Sequence, residues 1–348
     1  MFEHGAWADR ALRSAAERFG LEGRERAQAQ SLAYGSVQRR GTSDWLVAEL
    51  SKRDPERIDP PLLAALRLGV YELLFAEGAE HAAVDQAVEL AKGGRDGGRR
   101  HRGAGLVNAV LRRAAREAPA MLEAVGDATP REAAIRHSMP AWIAELWFAE
   151  RGAEAARAMM AAANEPPLRT YRLAPGAKPP AGLEPPGAGR CPGLVGVALL
   201  EAGPDADWPA IEAAVAAGRL VPQSPGSALA AAAVGASPGD RVLDLCAAPG
   251  IKSTQLAEAV GAEGSVTAIE RDPGRAAALR ELCDRAGAGN VTVLEGDALR
   301  LDAGAGYDRV LVDAPCTGLG TLAARPDARW HRSSEDLPEL TRLQRELL

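Results

Sequence analysis

Four short segments in the last third of the sequence hold residues whose types and spacing suit chemistry. Cys246-Ala247-Ala248-Pro249-Gly250-Ile251-Lys252 follows the apolar run RVLDL. Glu270 closes the run SVTAIE, Asp297 follows VTVLEG, and Asp313-Ala-Pro-Cys316 closes DRVLVDAPC. Small residues let a backbone approach a ligand closely, and a helix amino terminus turns its N–H groups toward a carboxylate. Glu270 lies 20 residues beyond Gly250, the offset at which an acid accepts the two hydroxyls of a ribose. The loop is neither a G-x-G-x-x-G nor a Walker sequence. A dinucleotide pyrophosphate or a triphosphate is therefore disfavoured, and an adenosine-bearing ligand with few phosphates fits better. Each feature alone has a plainer explanation: a turn at Gly250, helix caps at Glu270 and Asp272, a turn at Asp297, a small buried apolar residue at Cys246. Four such features at the ends of four successive strands argue for one site.

The elements that must position them follow from the pattern. RVLDL, SVTAIE, VTVLEGDA and DRVLVDAP are short apolar runs separated by helical stretches, which predicts a parallel, doubly wound sheet. In such a sheet ligands sit at the carboxyl ends of the strands. The first 120 residues carry only helical periodicity. ADRALRSAAERFG ends at Gly20; a helix from Arg24 to Arg40 is stopped by Gly41; PLLAALRLGVYELLF, apolar nearly all round, is the central helix of a bundle. HAAVDQAVELAK and GLVNAVLRRAAREA follow, the latter ended by Pro119. Residues 121–225 read as mixed, with helices at Pro140–Arg151 and Ala153–Ala163, then loops and short strands in a Pro/Gly-rich stretch over 164–190. Trp142 and Trp147 read as core, and Trp330 either packs or lines a cleft.

Composition narrows the class. The chain has 348 residues, 47% hydrophobic and 25% charged, which excludes disorder and collagen. No apolar stretch is long enough to span a bilayer, and MFEHGAWADR lacks the apolar core of a secretory signal. Four scattered cysteines form no CxxC pair, so a reducing cytoplasm and no metal are expected. The net charge of −6 is uneven: residues 1–119 hold 19 basic and 17 acidic residues, and the remainder holds 22 and 30. A nucleic-acid contact is better sought in the first third.

LDLCAAPGIKSTQLAE, AIERD, LEGDAL and VLVDAPCTGLGTLAARPDARWHR resemble successive motifs of the S-adenosylmethionine-dependent RNA 5-methylcytosine methyltransferases, the Nol1/NOP2/Sun family. LRLGVYELLF, HAAVDQAVELAK and GLVNAVLRR resemble the NusB family. The fusion of the two is similar to bacterial enzymes acting on a cytosine of 16S ribosomal RNA. The resemblance implies three parts: an all-α NusB-like bundle over 1–122, a small α+β connector over 123–222, and a partial α/β Rossmann-like class I methyltransferase domain, with strands one to four, over 223–348. It implies S-adenosylmethionine as cofactor and 16S ribosomal RNA as partner, in a monomer. By the same resemblance Cys246 through Lys252 form the cofactor loop, Glu270 holds the ribose and Asp297 the adenine side. Asp313 lies between cofactor and base, and Cys316 assists product release.

The sequence departs from the family at Ile251, where a second glycine is usual, at Ser224, usually acidic, and at Tyr171, often asparagine. The family chemistry also needs a second cysteine. Cytosine C5 is a poor nucleophile until a thiolate adds to C6. No cysteine follows Cys316 before Leu348, so that nucleophile is expected beyond Leu348 and the chain as given is expected to lack covalent catalysis. Cys316 acting as nucleophile is the lesser possibility. The rival from another class is a non-catalytic, NusB-like RNA-binding or antitermination-type factor with a decayed cofactor domain. For RNA contact the expected residues are Arg99, Arg100 and Arg102 in a basic loop, with Arg112 and Arg113 on the next helix, because guanidinium groups bond phosphates bidentately. Arg39, Arg40 and Arg116 are possible additions.

Overall fold

The computed structural model describes residues 6–76, 79–93, 103–187, 194 and 196–348. These fall into two compact units. One takes in residues 1–166 and 317–336, the other 167–316 and 337–348. This partition differs from the three-part sequence reading. Residues 123–166 go with the amino-terminal helices, and 167–222 go with the strand–helix repeats.

The first unit is helical: α1 Ala8–Phe19, α2 Gly23–Gln38, α3 Arg40–Ser51, α4 Pro60–Phe75, α5 Glu80–Ala91, α6 Ala104–Ala124, α7 Pro130–Arg136 and α8 Ala141–Ala162. As its sequence requires, α4 is central and packs on α2, α3, α5 and α6, with Leu62, Leu63, Ala65, Leu66 and Val70 buried. Two expected helix ends are wrong. Gly41 does not stop a helix: the chain breaks at Arg39 and Gly41 lies inside α3. Glycine is needed there for close packing, since a Cβ would stand 2.9 Å from the Trp330 ring. Pro119 does not end α6, which runs on to Ala124. One lost hydrogen bond near a helix end is offset by burial of Ala118 and by packing of Met121 and Leu122 on the core. Within α8, Gly152 at φ 77° breaks the helix into the two expected pieces. α7, not anticipated, is opened by a reciprocal cap between Thr129 and Glu132.

The second unit holds two sheets. β1 Thr170–Leu173, β2 Leu183–Glu184, β3 Leu199–Ala202 and β4 Leu220–Pro222 form an antiparallel sheet in the order β2-β3-β1-β4, with α9 Trp208–Ala216 against it. α10 Pro225–Ala232 leads into β5 Arg241–Asp244, α11 Ile251–Val260, β6 Ser265–Glu270, α12 Pro273–Arg285, β7 Val291–Glu295 and β8 Arg309–Leu311. These strands form the expected parallel sheet in the order β7-β6-β5-β8. Its core is Val242, Leu256, Ala257, Val260, Val266 and Leu311. The remaining helices are α13 Ala328–His331, in the first unit, and α14 Asp336–Leu347.

The segment 317–336 is built into the helical unit's interior. Leu322 and Ala328 join the core of α7 and α8. Asp327 accepts the Ala8 N–H at the start of α1 at 2.6 Å. Arg329, fully buried, donates to the carbonyls of Ser138 at 2.9 Å and Ala163 at 3.1 Å and to Asn164 Oδ1 at 3.0 Å. Trp330 donates from Nε1 to the Val37 carbonyl at 2.7 Å under the Arg40 guanidinium, so it packs within the bundle. Trp147 is buried and Trp142 packs against the same core, as expected. Arg329→Met removes the bonds to Ser138, Ala163 and Asn164 together with a longer one, of 3.4 Å, to the Gln38 carbonyl. It is expected to lower amide protection around Ser138 and Ala163 by about 3 kcal/mol in hydrogen exchange; protection within about 0.5 kcal/mol of the native value would contradict this role.

Candidate functional site

β5 carries its apolar residues into the sheet and ends on Asp244, which is 1% exposed. The chain then leaves through Cys246–Pro249. The Ala247 N–H donates to the Ile269 carbonyl at 3.0 Å, and the Gly250 N–H to the Ala247 carbonyl at 2.8 Å. These bonds fix the loop against the end of β6. Gly250 sits at φ 100°, where a side chain is strained, and a Cβ there would strike Leu279 Cδ1 at 2.4 Å. α11 begins at Ile251, with its first N–H groups at the loop.

Within this bend lies a cavity of about 50 Å³, lined by Asp244, Cys246, Ala247, Ala248, Pro249, Ile251, Lys252, Asp313 and Ser227. It joins the loop to the end of β8. Lys252 Nζ stands 2.5 Å from Asp313 Oδ2. Ser253 Oγ donates to Asp244 Oδ2 at 2.8 Å, while Asp244 Oδ1 is buried without a hydrogen-bond partner among the described residues. Burial pushes the Asp244 carboxyl up to about 6; the Ser253 bond, Lys252 and the nearby Cys246 backbone N–H oppose the shift, and Asp313 adds to it. Two carboxyls against one ammonium leave the cavity with an excess of negative charge. A lining carboxylate with one buried, unpartnered oxygen suits a cationic group, as on a sulfonium or amino-acid ligand. The Cys246 thiol is pushed up to about 11, chiefly by burial, so it stays protonated at neutral pH and fits the small-apolar reading.

The other acids lie at the neighbouring strand ends. Glu270, 5% exposed, accepts the Asp272 N–H at 3.0 Å, and Arg275 lies 3.4 Å from its other oxygen. Arg275 also donates to the Ala248 carbonyl at 2.9 Å, linking Glu270 to the loop. The α12 cap is Asp272, which accepts the Arg275 N–H at 2.8 Å; Glu270 is free of that duty. Asp297 is half-buried and accepts the Leu299 N–H at 3.1 Å in a local turn. Asp313 and Cys316 are exposed. In the helical unit, Arg112 bonds Asn108, whereas Arg113 is engaged by Glu117 and by the Leu50 carbonyl. Arg99, Arg100 and Arg102 lie outside the described residues. The sequence reading missed Asp244 and Ser253. Their signal was an acid ending an otherwise apolar strand, with a hydroxyl one helical turn into the next element.

The model of the 16S rRNA methyltransferase RsmB/F family matches residues 231–348, and that of the NusB family matches residues 1–116. Ribosomal RNA small subunit methyltransferase B of Thermus thermophilus is 36% identical over 351 residues, 98% of this chain and 73% of that protein. The chain belongs to the RsmB/F family of methyltransferases. A Mycobacterium tuberculosis protein called a methyltransferase, with no target in its name, is 37% identical over 99% of this chain and 76% of its own length. The solved structure of PH0851 shares the fold, with a TM-score of 0.70 and 24% identity over 96% of this chain and 76% of that one. The RsmB/F family's cofactor is S-adenosylmethionine, and the bend at β5 suits its cationic part: Asp244 lines the cavity there and keeps one buried oxygen with no partner among the described residues. Among the described residues there is no helix long and apolar enough to cross a membrane and no cluster of metal-ligating side chains.

A pH dependence follows. Above about pH 6 Asp244 is ionised and attracts a cation; below it the proton competes. The affinity for S-adenosylmethionine, measured by calorimetry, is expected to be level from pH 7 to 8 and to fall by up to about tenfold per unit below 6. Asp244→Asn is expected to weaken binding at pH 7.5 and to flatten the profile. A native profile with no inflection between pH 5 and 7 would refute the assignment.

Proposed function

We propose that this protein methylates carbon 5 of a cytosine in 16S ribosomal RNA, with the cofactor held at the strand ends described above. The observation that carries the reading is the junction of the Asp244 cavity with Asp313, three residues before Cys316 at the end of β8. S-adenosylmethionine supplies an electrophilic methyl group there. The first backbone N–H groups of α11, at Ile251 and Lys252, would face its carboxylate, and Glu270 would take the ribose hydroxyls from a position already tied to the loop through Arg275. Asp297 borders the adenine. Asp313, steadied by Lys252, would lie between the methyl donor and the base. Carbon 5 takes the methyl group only once a thiolate has added to carbon 6, a role given to none of the described residues; the Cys316 thiol, exposed at the loop's end, assists release of the methylated product. Related proteins named ribosomal RNA small subunit methyltransferase B support 16S ribosomal RNA as the substrate.

The RNA contact is assigned to the NusB-like helices. Arg112, on the exposed face of α6, is the better phosphate ligand of the described pair, because Arg113 is occupied within the unit. Arg99, Arg100 and Arg102 extend that basic region in sequence.

Two measurements test this reading. Asp297→Ala is expected to weaken S-adenosylhomocysteine binding at least tenfold by calorimetry; unchanged affinity would remove Asp297 from the site. Bisulfite sequencing of 16S ribosomal RNA from cells with and without the gene is expected to show one cytosine losing its protection from deamination on deletion. Identical protection at every cytosine would reject carbon 5 of a 16S cytosine as the target.

A further inference from the structure

We infer that Arg172 is a positioning residue for the cofactor site. From the antiparallel sheet it fixes the rotation of α11 and so places Lys252 and Ser253 against Asp313 and Asp244. This rests on the reading that the bend between β5 and α11 holds S-adenosylmethionine.

Arg172 lies on β1 and is 1% exposed. A buried guanidinium is costly unless every edge is paired, and this one is. Nε donates to Gln223 Oε1 at 2.8 Å, Nη2 to Thr254 Oγ1 at 2.7 Å, and Nη1 to the Glu258 carboxylate. Burial raises the Glu258 carboxyl and Arg172 opposes that shift, so the pair is mutually dependent. Gln223, 3% exposed, adds a second bridge from Nε2 to Gln255 Oε1, and Gln255 donates onward to the Ala228 carbonyl at 2.9 Å. Both bridges land on the first turns of α11.

The effect on the site follows from helix geometry. Ser253, Thr254 and Gln255 are consecutive, all polar and all buried. On an α-helix successive side chains are about 100° apart, so these three span roughly 200° of the surface. Thr254 and Gln255 face the antiparallel sheet through Arg172 and Gln223, and Ser253 faces the end of β5 through Asp244. Apolar packing by Leu256, Ala257 and Val260 holds α11 on the sheet but tolerates small rotations. Directional bonds on two sides do not. Thr254 Oγ1 also donates to the Ile251 carbonyl at 3.0 Å. The relay from guanidinium to hydroxyl to carbonyl therefore ends on the residue after Gly250, at the lip of the cavity. A buried ion pair is often no better for stability than an apolar replacement. Its value here is orientation.

The test uses the full chain with S-adenosylhomocysteine as the probe. Calorimetry is run from pH 5 to 8 on the native protein, Arg172→Met and Thr254→Val, with circular dichroism to establish the folded fraction. The expected result is about tenfold weaker binding for Arg172→Met and about threefold for Thr254→Val, per folded molecule. Both variants are also expected to move the affinity midpoint upward in pH, because a displaced Ser253 no longer favours the ionised form of Asp244. The groups facing Asp244 are Ser253 and Lys252 from α11, Asp313 from the end of β8 and Cys246 from the loop. A purely structural role lowers the melting temperature and leaves both affinity and midpoint unchanged; that result overturns the inference. Should Arg172→Met fail to fold, Thr254→Val decides alone. Binding by the native chain that neither variant alters removes the positioning role only. No binding by the native chain removes the site reading and this inference together.

Discussion

One hydrogen bond, from Ser253 Oγ to Asp244 Oδ2, ties the end of a buried strand to the first turn of the helix that follows it. Everything at the candidate site depends on that tie. It lets a carboxyl be buried at the centre of a parallel sheet, where an unpaired charge would be intolerable, and it satisfies only one of the two oxygens. The second oxygen has no hydrogen-bond partner among the described residues. The bend between strand and helix must be tight for the bond to form, which is why Gly250 adopts a left-handed conformation against Leu279. The same tightness brings Lys252 to Asp313 and completes the rim of the cavity.

The polar groups of α11 divide between two tasks. Ser253 and Lys252 serve the strand ends, while Thr254, Gln255 and Glu258 anchor the helix from the antiparallel sheet. The small sheet is thus part of the same compact unit as the parallel one, although residues 123–222 read as a separate connector in the sequence. In the helical unit a different solution holds. Arg329 is buried without a carboxylate among its hydrogen-bond partners; its two Nη groups bond carbonyls at the ends of α2, α7 and α8 and Asn164, while Nε has no partner among the described residues. Residues 317–336 therefore belong to the helical unit by packing and hydrogen bonding.

Much of this was legible in the sequence. Short runs rich in β-branched residues and bounded by turn residues read as strands, so RVLD, SVTAIE and VTVLE were found with the loops that follow them. The central helix was plain because PLLAALRLGVYELLF has no polar face. What failed was what depends on distant partners. Gly41 looked like a stop because nothing local shows that Trp330, far along the chain, needs the space. Pro119 looked like a stop because burial of the next turn is a tertiary effect. Asp244 was passed over as the last letter of a strand, since its burial and its single satisfied oxygen are visible only in three dimensions. Arg172 gave no signal, because an arginine in a polar-flanked strand is ordinarily exposed.

The central claim is that Asp244 is a buried, half-satisfied carboxyl waiting for a cation. Carbon-13 NMR of the aspartate side-chain carboxyls, with Asp244 assigned through Asp244→Asn, reads its titration directly. The account requires a midpoint near 6 in the free protein and a clear downward shift when S-adenosylmethionine is added. A midpoint in the ordinary carboxylate range, or one that the ligand leaves in place, would contradict it.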